Sequence, residues 1–277
     1  MAFNKPRLYY DNIGSRRDAA EAYIATVTAA TTMTPGDYHA ENVRDWRRFT
    51  RVRASNLTSP WWIKYDFLTA VSCTGSVLSG HNFGNDGLGA QIQWSTDDAA
   101  WNDIGAGAVF TGNGLWLQNF AAQSARYWRI NVTGAMVEEP QVGIFFVGNY
   151  LELPHFLQAN FNPLPMTARG QALQSVEGQI LGVSVDYQKL RYNIVMDQVA
   201  DSYVESTAVP GWQDFKDQCF IRRNPFFFAY DDNSHPHQAA LVMIPPGQLY
   251  EVPYFKSLRQ IRIKMDGKTE DFETAAF

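Results

Sequence analysis

The chain has 277 residues, a formal net charge of −5, 45% hydrophobic and 18% charged residues. That length suits two domains, each able to bury its own core; the weak acidity excludes a polyanion binder held by bulk electrostatics, and no apolar run reaches the roughly 18 residues of a membrane span. The opening MAFNKPRLYY has no apolar stretch behind a basic start, which predicts synthesis and folding in a cytoplasm, while Cys73 and Cys219, expected in different domains, are predicted as buried free thiols.

Taken in order, the first predicted element is a helical turn around Asp18 to Ile24. From there short alternating runs separated by Gly, Asn and Asp clusters predict an antiparallel β-sandwich. In Trp61 to Phe67, residues Trp61, Ile63, Tyr65 and Phe67 share one face and Lys64 and Asp66 the other, the two-residue period of a half-buried strand. The loop SGHNFGNDGLGA (Ser79 to Ala90) leads into GAQIQWSTDDAAW (Gly89 to Trp101), a strand with a polar turn. In Ser124 to Val132, Trp128, Ile130 and Val132 again share a face. After the strand Val142 to Val147, the proline-rich LPHFLQANFNPLP (Leu153 to Pro165) reads as an extended connector, placing the domain boundary near residue 152.

These segments, with W-I-x-x-D-F at Trp62 to Phe67 and A-R-Y-x-R-I at Ala125 to Ile130, resemble the discoidin or coagulation-factor type C module, a galactose-binding-like jelly roll. The opening TAATTMTPGDYHAENVRDW is similar to that module's first segment, with Asn42 and Asp45 on its polar positions and Arg53 where the family commonly has tryptophan. The resemblance covers about residues 28–150. It implies a non-catalytic attachment domain over 1–152 whose ligand loops, at one end of the jelly roll, hold Asp45, Trp46, His81 and Asn82. Some members hold calcium, for which Asp37, Asn42, Asp45, His81, Asn82, Asn85 and Asp86 supply oxygen and nitrogen groups. The run RDWRRFTRVR (Arg44 to Arg53) interleaves arginine with aromatics, yet it lies in an acidic domain and is read as a strand face or subunit contact, not a nucleic-acid patch.

In 153–277 the alternation of Leu181, Val183, Val185 and Tyr187, then of Leu190, Tyr192, Ile194 and Met196, predicts a hairpin turning at Gln188 and Lys189. Trp212, Phe215 and Cys219 predict one amphipathic helix after Pro210. Strands return at Pro225 to Asp232, Gln238 to Pro245 and Arg259 to Asp266. This order resembles the β-sandwich of tail-tube and distal-tail proteins of long-tailed bacteriophages. The resemblance implies a tail-tip or baseplate component in the virion, with tube, hub and sister copies as partners and a host surface glycan as ligand. Phe226, Phe227, Phe228, Tyr250, Tyr254 and Phe255 concentrate more aromatic surface than a small sandwich encloses, which predicts a homo-oligomeric ring interface.

No G-x-S-x-G elbow, Walker A loop or H-E-x-x-H helix is present in the sequence. His235 and His237 lack a Cys or carboxylate at zinc-finger spacing. The acidic pairs are adjacent in sequence, so strand geometry points their side chains to opposite faces. The expectation is a mainly β, non-enzymatic protein without a cofactor. A stand-alone carbohydrate-binding protein and a tail-associated polysaccharide hydrolase are the alternatives.

Overall fold

The computed structural model describes residues 4–18, 20–30, 38–157, 161–174, 176–177, 179–235, 238–248, 254–255 and 258–268. The chain is mainly β and divides into two compact units. One comprises residues 11–150; the other joins residues 1–10 to 151–269. Strands β1 (Arg7–Asn12) and β10 (Ile144–Glu152) contain the two crossings of this division.

The unit 11–150 is a sandwich built from two long, bent strands. Strand β4 (Trp61–Ser79) pairs antiparallel with β8 (Trp116–Thr133) along nearly its whole length, but the register shifts between Asp66 and Val71 and again between Cys73 and Gly75. Leu68, at the first shift, adopts φ +62°. Such irregularities bend strands, so each strand contributes to both layers. The first layer takes β2 (Thr26–Ala29), the opening of β4, the end of β8 and β5 (Gly89–Ser95), edged by β6 (Asn102–Asp103) and β7 (Ala108–Val109). The second takes the end of β4, the opening of β8 and β10. Trp61, Ile63, Tyr65, Phe67, Ile92, Trp128, Ile130 and Val132 point from the first layer into the core and meet Phe145 and Val147 from the second. The predicted alternation at 61–67 is therefore the core face. Asp18 to Ile24 is not helical: Arg17 bridges to Tyr23, and Asp18 Oδ1 accepts from the main-chain N–H groups of Ala20 and Ala22, a side-chain-capped turn that competes with a helix.

In the second unit, β11 (Met166–Gln174) pairs with β12 (Ile180–Ala200), and β12 with β16 (Leu258–Lys268). β16 also pairs with β14 (Ala240–Met243) and β15 (Tyr254–Phe255); β14 continues to β13 (Phe226–Ala229), and β13 to β1. No turn occurs at Gln188 and Lys189. β12 runs straight through, and the register against β11 slips between Val185 and Tyr187, where Arg169 pairs with Tyr187 and Gly170 with Val185. A one-residue bulge shifts the phase of alternation just as a turn would, and this stretch lacks the Asn-Gly chemistry a tight turn needs. After α1 (Asp201–Val204), the predicted helix is α2 (Trp212–Phe215), which continues as a π-turn over Lys216–Ile221 and buries Trp212, Phe215, Cys219 and Phe220. Both thiols are free and buried.

Candidate functional site

The loops after β4 and β7 and before β3 (Val52–Arg53) and β9 (Gln141–Val142) gather at one end of the sandwich, tied by the small β3–β9 pair. Their side chains fix one another. Asn82 accepts from Gln141 N (2.9 Å) and donates to Glu139 O (3.1 Å). Asn113 donates to Asn85 Oδ1 (2.7 Å) and accepts from Gly84 N (2.9 Å); Asn85 donates to Glu138 Oε2 (2.9 Å). Asp86 Oδ2 accepts from the main-chain N–H groups of Val137 and Glu138. At Gly84 a Cβ would lie 2.3 Å from Gly112 C, so only glycine lets these two loops touch. On this scaffold Arg53 Nε meets Glu139 Oε2 at 2.7 Å, both partly exposed, with the Arg53 guanidinium 5.7 Å from the Tyr38 ring centroid. Phe49, 79% exposed, lies beside Arg48, whose carbonyl approaches Gly80 and Gly143.

The four residues expected to touch ligand build this end instead. His81 is 4% exposed, stacked on Phe83 (4.8 Å) and edge-on to Phe110 (4.7 Å). Its Nε2–H donates to Gly114 O (2.8 Å), and burial lowers its pKa to about 4. Asn82 is 8% exposed with both ends of its amide engaged. Asp45 accepts from Arg47 N and Thr50 Oγ1 within its own turn. Trp46, at φ +62°, donates Nε1–H to Ser15 Oγ and packs on Phe146. Asn42 donates to Arg51 O, and Asp37 lies outside the described residues. Among the described residues no group of three or more His, Cys, Asp and Glu side chains is placed to hold a metal ion.

The arginine run is not one strand face, since only Val52 and Arg53 are extended. Arg44 is buried: it donates to Ala25 O, pairs with Glu41 and lies 3.6 Å over the Tyr23 ring, and burial depresses its pKa.

The expected aromatic interface is corrected at three of its six residues. Phe226, Phe227 and Phe228 are 0%, 0% and 1% exposed, because β13 is a central strand between β1 and β14 and buries both faces. Phe228 packs on Tyr192 and Phe161, and Phe226 on Phe215. Tyr250 and the side chains of Tyr254 and Phe255 lie outside the described residues.

Sequence reasoning gave no role to Glu139 or Tyr38; the β3–β9 pairing, which sets Arg53 against Gln141, brings Arg53 to Glu139. It also passed over the outward face of β4, β8 and β5, whose signal was present in the same alternation: Trp62, Lys64 and Asp66 oppose Asn131, Arg129 and Tyr127, and the last three oppose Gln91, Gln93 and Ser95.

No family model matches the chain, and no curated protein matches it. Among solved structures, chitosan-binding module 1 from a Paenibacillus sp. IK-5 chitosanase/glucanase is similar at 18% identity and a TM-score of 0.40, over 50% of this chain and 98% of that one. CpGH89CBM32-5 from Clostridium perfringens, in complex with GalNAc-β-1,3-galactose, is similar at 13% identity and a TM-score of 0.39, over 45% of this chain and 94% of that one. A Ruminococcus gnavus GH29 fucosidase in complex with fucose gives 16% identity and a TM-score of 0.41, over 48% of this chain and 26% of that one.

Proposed function

We propose that the sandwich of residues 11–150 is a non-catalytic carbohydrate-binding module that takes its ligand at the loop end. The observation that carries this reading is the Arg53–Glu139 ion pair beside Tyr38, seated on loops whose own Asn and Asp side chains are occupied in holding them still. Planar donors and acceptors on a pre-organised surface match the paired hydroxyls of a pyranose, and an aromatic ring matches its C–H face. Two of the carboxylates here are committed to fixed donors within the scaffold, Asp86 to two main-chain N–H groups and Glu138 to Asn85. Glycoside hydrolysis needs two carboxylates facing each other across a cleft; this end instead supplies a binding surface.

The test is a glycan array followed by NMR titration of the intact chain. Dissociation constants in the micromolar to millimolar range are expected of a shallow site with few contacts. Arg53→Ala and Tyr38→Ala should each weaken binding without lowering the melting temperature appreciably. A blank array, or a bound glycan indifferent to both substitutions, would refute the loop-end site. The burial of Phe226 to Phe228 takes these three residues out of the ring-assembly reading of the second unit, and the stand-alone binding protein is preferred.

A further inference from the structure

The outward face of the sandwich's first layer carries a second constellation, independent of the loop end. Its middle row places Lys64 directly opposite Arg129, and Arg129 opposite Gln93. Two cations facing each other on neighbouring strands repel. Lys64 is compensated: its Nζ lies 2.6 Å from Asp98 Oδ2, on a turn where Asp98 holds φ +63°. Arg126 is compensated by a two-pronged pair with Asp66, at 2.7 and 2.8 Å. Arg129 differs, since among the described residues it forms no ion pair. Its Nε donates to Gln93 Oε1 (2.7 Å), Gln93 is itself oriented by donation to Asp103 Oδ1 (2.6 Å), and the guanidinium carbon lies 3.9 Å from the Trp101 ring centroid. The guanidinium is thus locked in its plane by Trp101 and along one edge by Gln93. Burial depresses its pKa, opposed by the carboxylates of Asp98 and Asp103, which act on it through space without forming an ion pair.

We infer that this face is an anion-recognising saccharide site, in which a sugar carboxylate takes the two terminal nitrogens of Arg129 and the sugar chain runs across the sheet. The fork geometry of arginine favours a planar, bidentate carboxylate. A saccharide suits the surroundings because the row is bordered by half-buried rings, Trp62 and Tyr127, each with the Lys64 ammonium near one side (5.4 and 5.6 Å), and by the planar amide of Asn131, whereas the Gln91 amide is spent on the main-chain carbonyls of Ile92 and Ile104. These are plates and paired hydrogen-bonding groups for hydroxylated rings rather than a cleft for side chains.

The probe is an oligogalacturonate titrated into the intact chain by calorimetry, beside the same oligomer with its carboxyls reduced to alcohols and beside a polyaspartate of equal charge. The expected result is binding of the acidic oligomer at least tenfold tighter than the reduced one, weakening with salt. Arg129→Gln should cost tenfold or more, and Arg129→Lys, which keeps the charge and loses the fork, should be nearly as weak. Arg222→Ala, which removes an exposed arginine paired with Asp217 in the second unit, should leave this affinity unchanged, separating the site from a general charge effect. Unchanged melting temperature and amide spectra outside the face serve as the folding control, and Gln93→Leu, which frees the Arg129 plane, is the second variant, expected to lose several-fold. Equal affinity for acidic and reduced oligomers, equal affinity for polyaspartate, absence of binding at millimolar oligomer, or indifference to both Arg129 substitutions would each overturn the inference.

Discussion

Tyr65, on the first layer of the sandwich, donates its phenolic hydrogen to the main-chain carbonyl of Phe145 on the second at 2.7 Å, and the two rings stack 5.3 Å apart. The hydroxyl is fully buried, and burial drives its pKa far upward. Tyr65→Phe keeps the ring and removes the donor, leaving one buried carbonyl short of a partner. The expected loss is about 1–3 kcal/mol in urea unfolding, with the denaturant slope unchanged. A loss below the error of the measurement would mean that the layers are held by ring packing alone.

His81 makes the sandwich sensitive to acid. Its ring is neutral in the fold: Nε2–H donates to Gly114 O while Nδ1 accepts from Phe83 N. Its pKa falls from the ordinary 6.5 to about 4. The unfolded chain therefore binds this proton first as pH drops. The contribution is complete above about 6.5 and is lost progressively toward 4, reaching about 3 kcal/mol. Chemical denaturation of the native chain and of His81→Phe across this range should show the native curve falling more steeply; parallel curves would place the ring's titration elsewhere.

In the second unit, Asp232 collects Asn4, Arg7 and Tyr9 through 2.8, 2.5 and 2.9 Å contacts, its side chain fully buried. Asp232→Ala removes the buried acceptor shared by Asn4, Arg7 and Tyr9, leaving Arg7 only its exposed partner Glu152, and should cost about 3 kcal/mol or more. Glu152→Gln removes the exposed partner of the same arginine and should cost less than about 1 kcal/mol. Hydrogen exchange of β1 amides in the two variants separates them: only the first should release the strand.

Gly84→Ala must force its loop off Gly112, where backbone meets backbone. The expected effect is about 1–3 kcal/mol of destabilisation together with weaker glycan binding, because the Asn113 and Asn85 contacts depend on that approach. Retention of full affinity in a destabilised variant would remove these loops from the site.

How far the fold was legible depended on where each signal came from. The alternation at Trp61 to Phe67 and Trp128 to Val132 was readable because one face is core and the other wet. β1 was not: Leu8, Tyr9 and Tyr10 are all buried, leaving no alternation, and its partner β13 is remote in sequence. Phe226 to Phe228 read as surplus aromatic surface for the same reason, since a strand covered on both faces has no polar phase. The slip at Asp186 mimicked a turn because bulge and turn leave the same mark on a two-residue period. At the loop end, His81 and Asn82 were recognisable as loop residues, but whether a polar side chain supports a loop or faces solvent is decided by partners such as Glu139 and Gly114.

The donation from Leu153 N to Pro6 O, 2.8 Å, shows that the chain re-enters the second unit beside the point where it left. The sandwich is therefore an insertion, nested after the first strand of its host. During translation it is finished while the host possesses only β1, and Asp232, which anchors Arg7, emerges 225 positions after it. Closure of so distant a pairing is intrinsically slow. A fragment beginning at Leu151 would emerge with the β13 edge bare and ready to pair with a sister chain. Splicing Tyr10 to Leu151 through a short linker would instead excise the sandwich and leave its host the β1 residues that pair with β13. The sandwich is in this sense a cassette, exchangeable for another without disturbing the order in which the host is assembled.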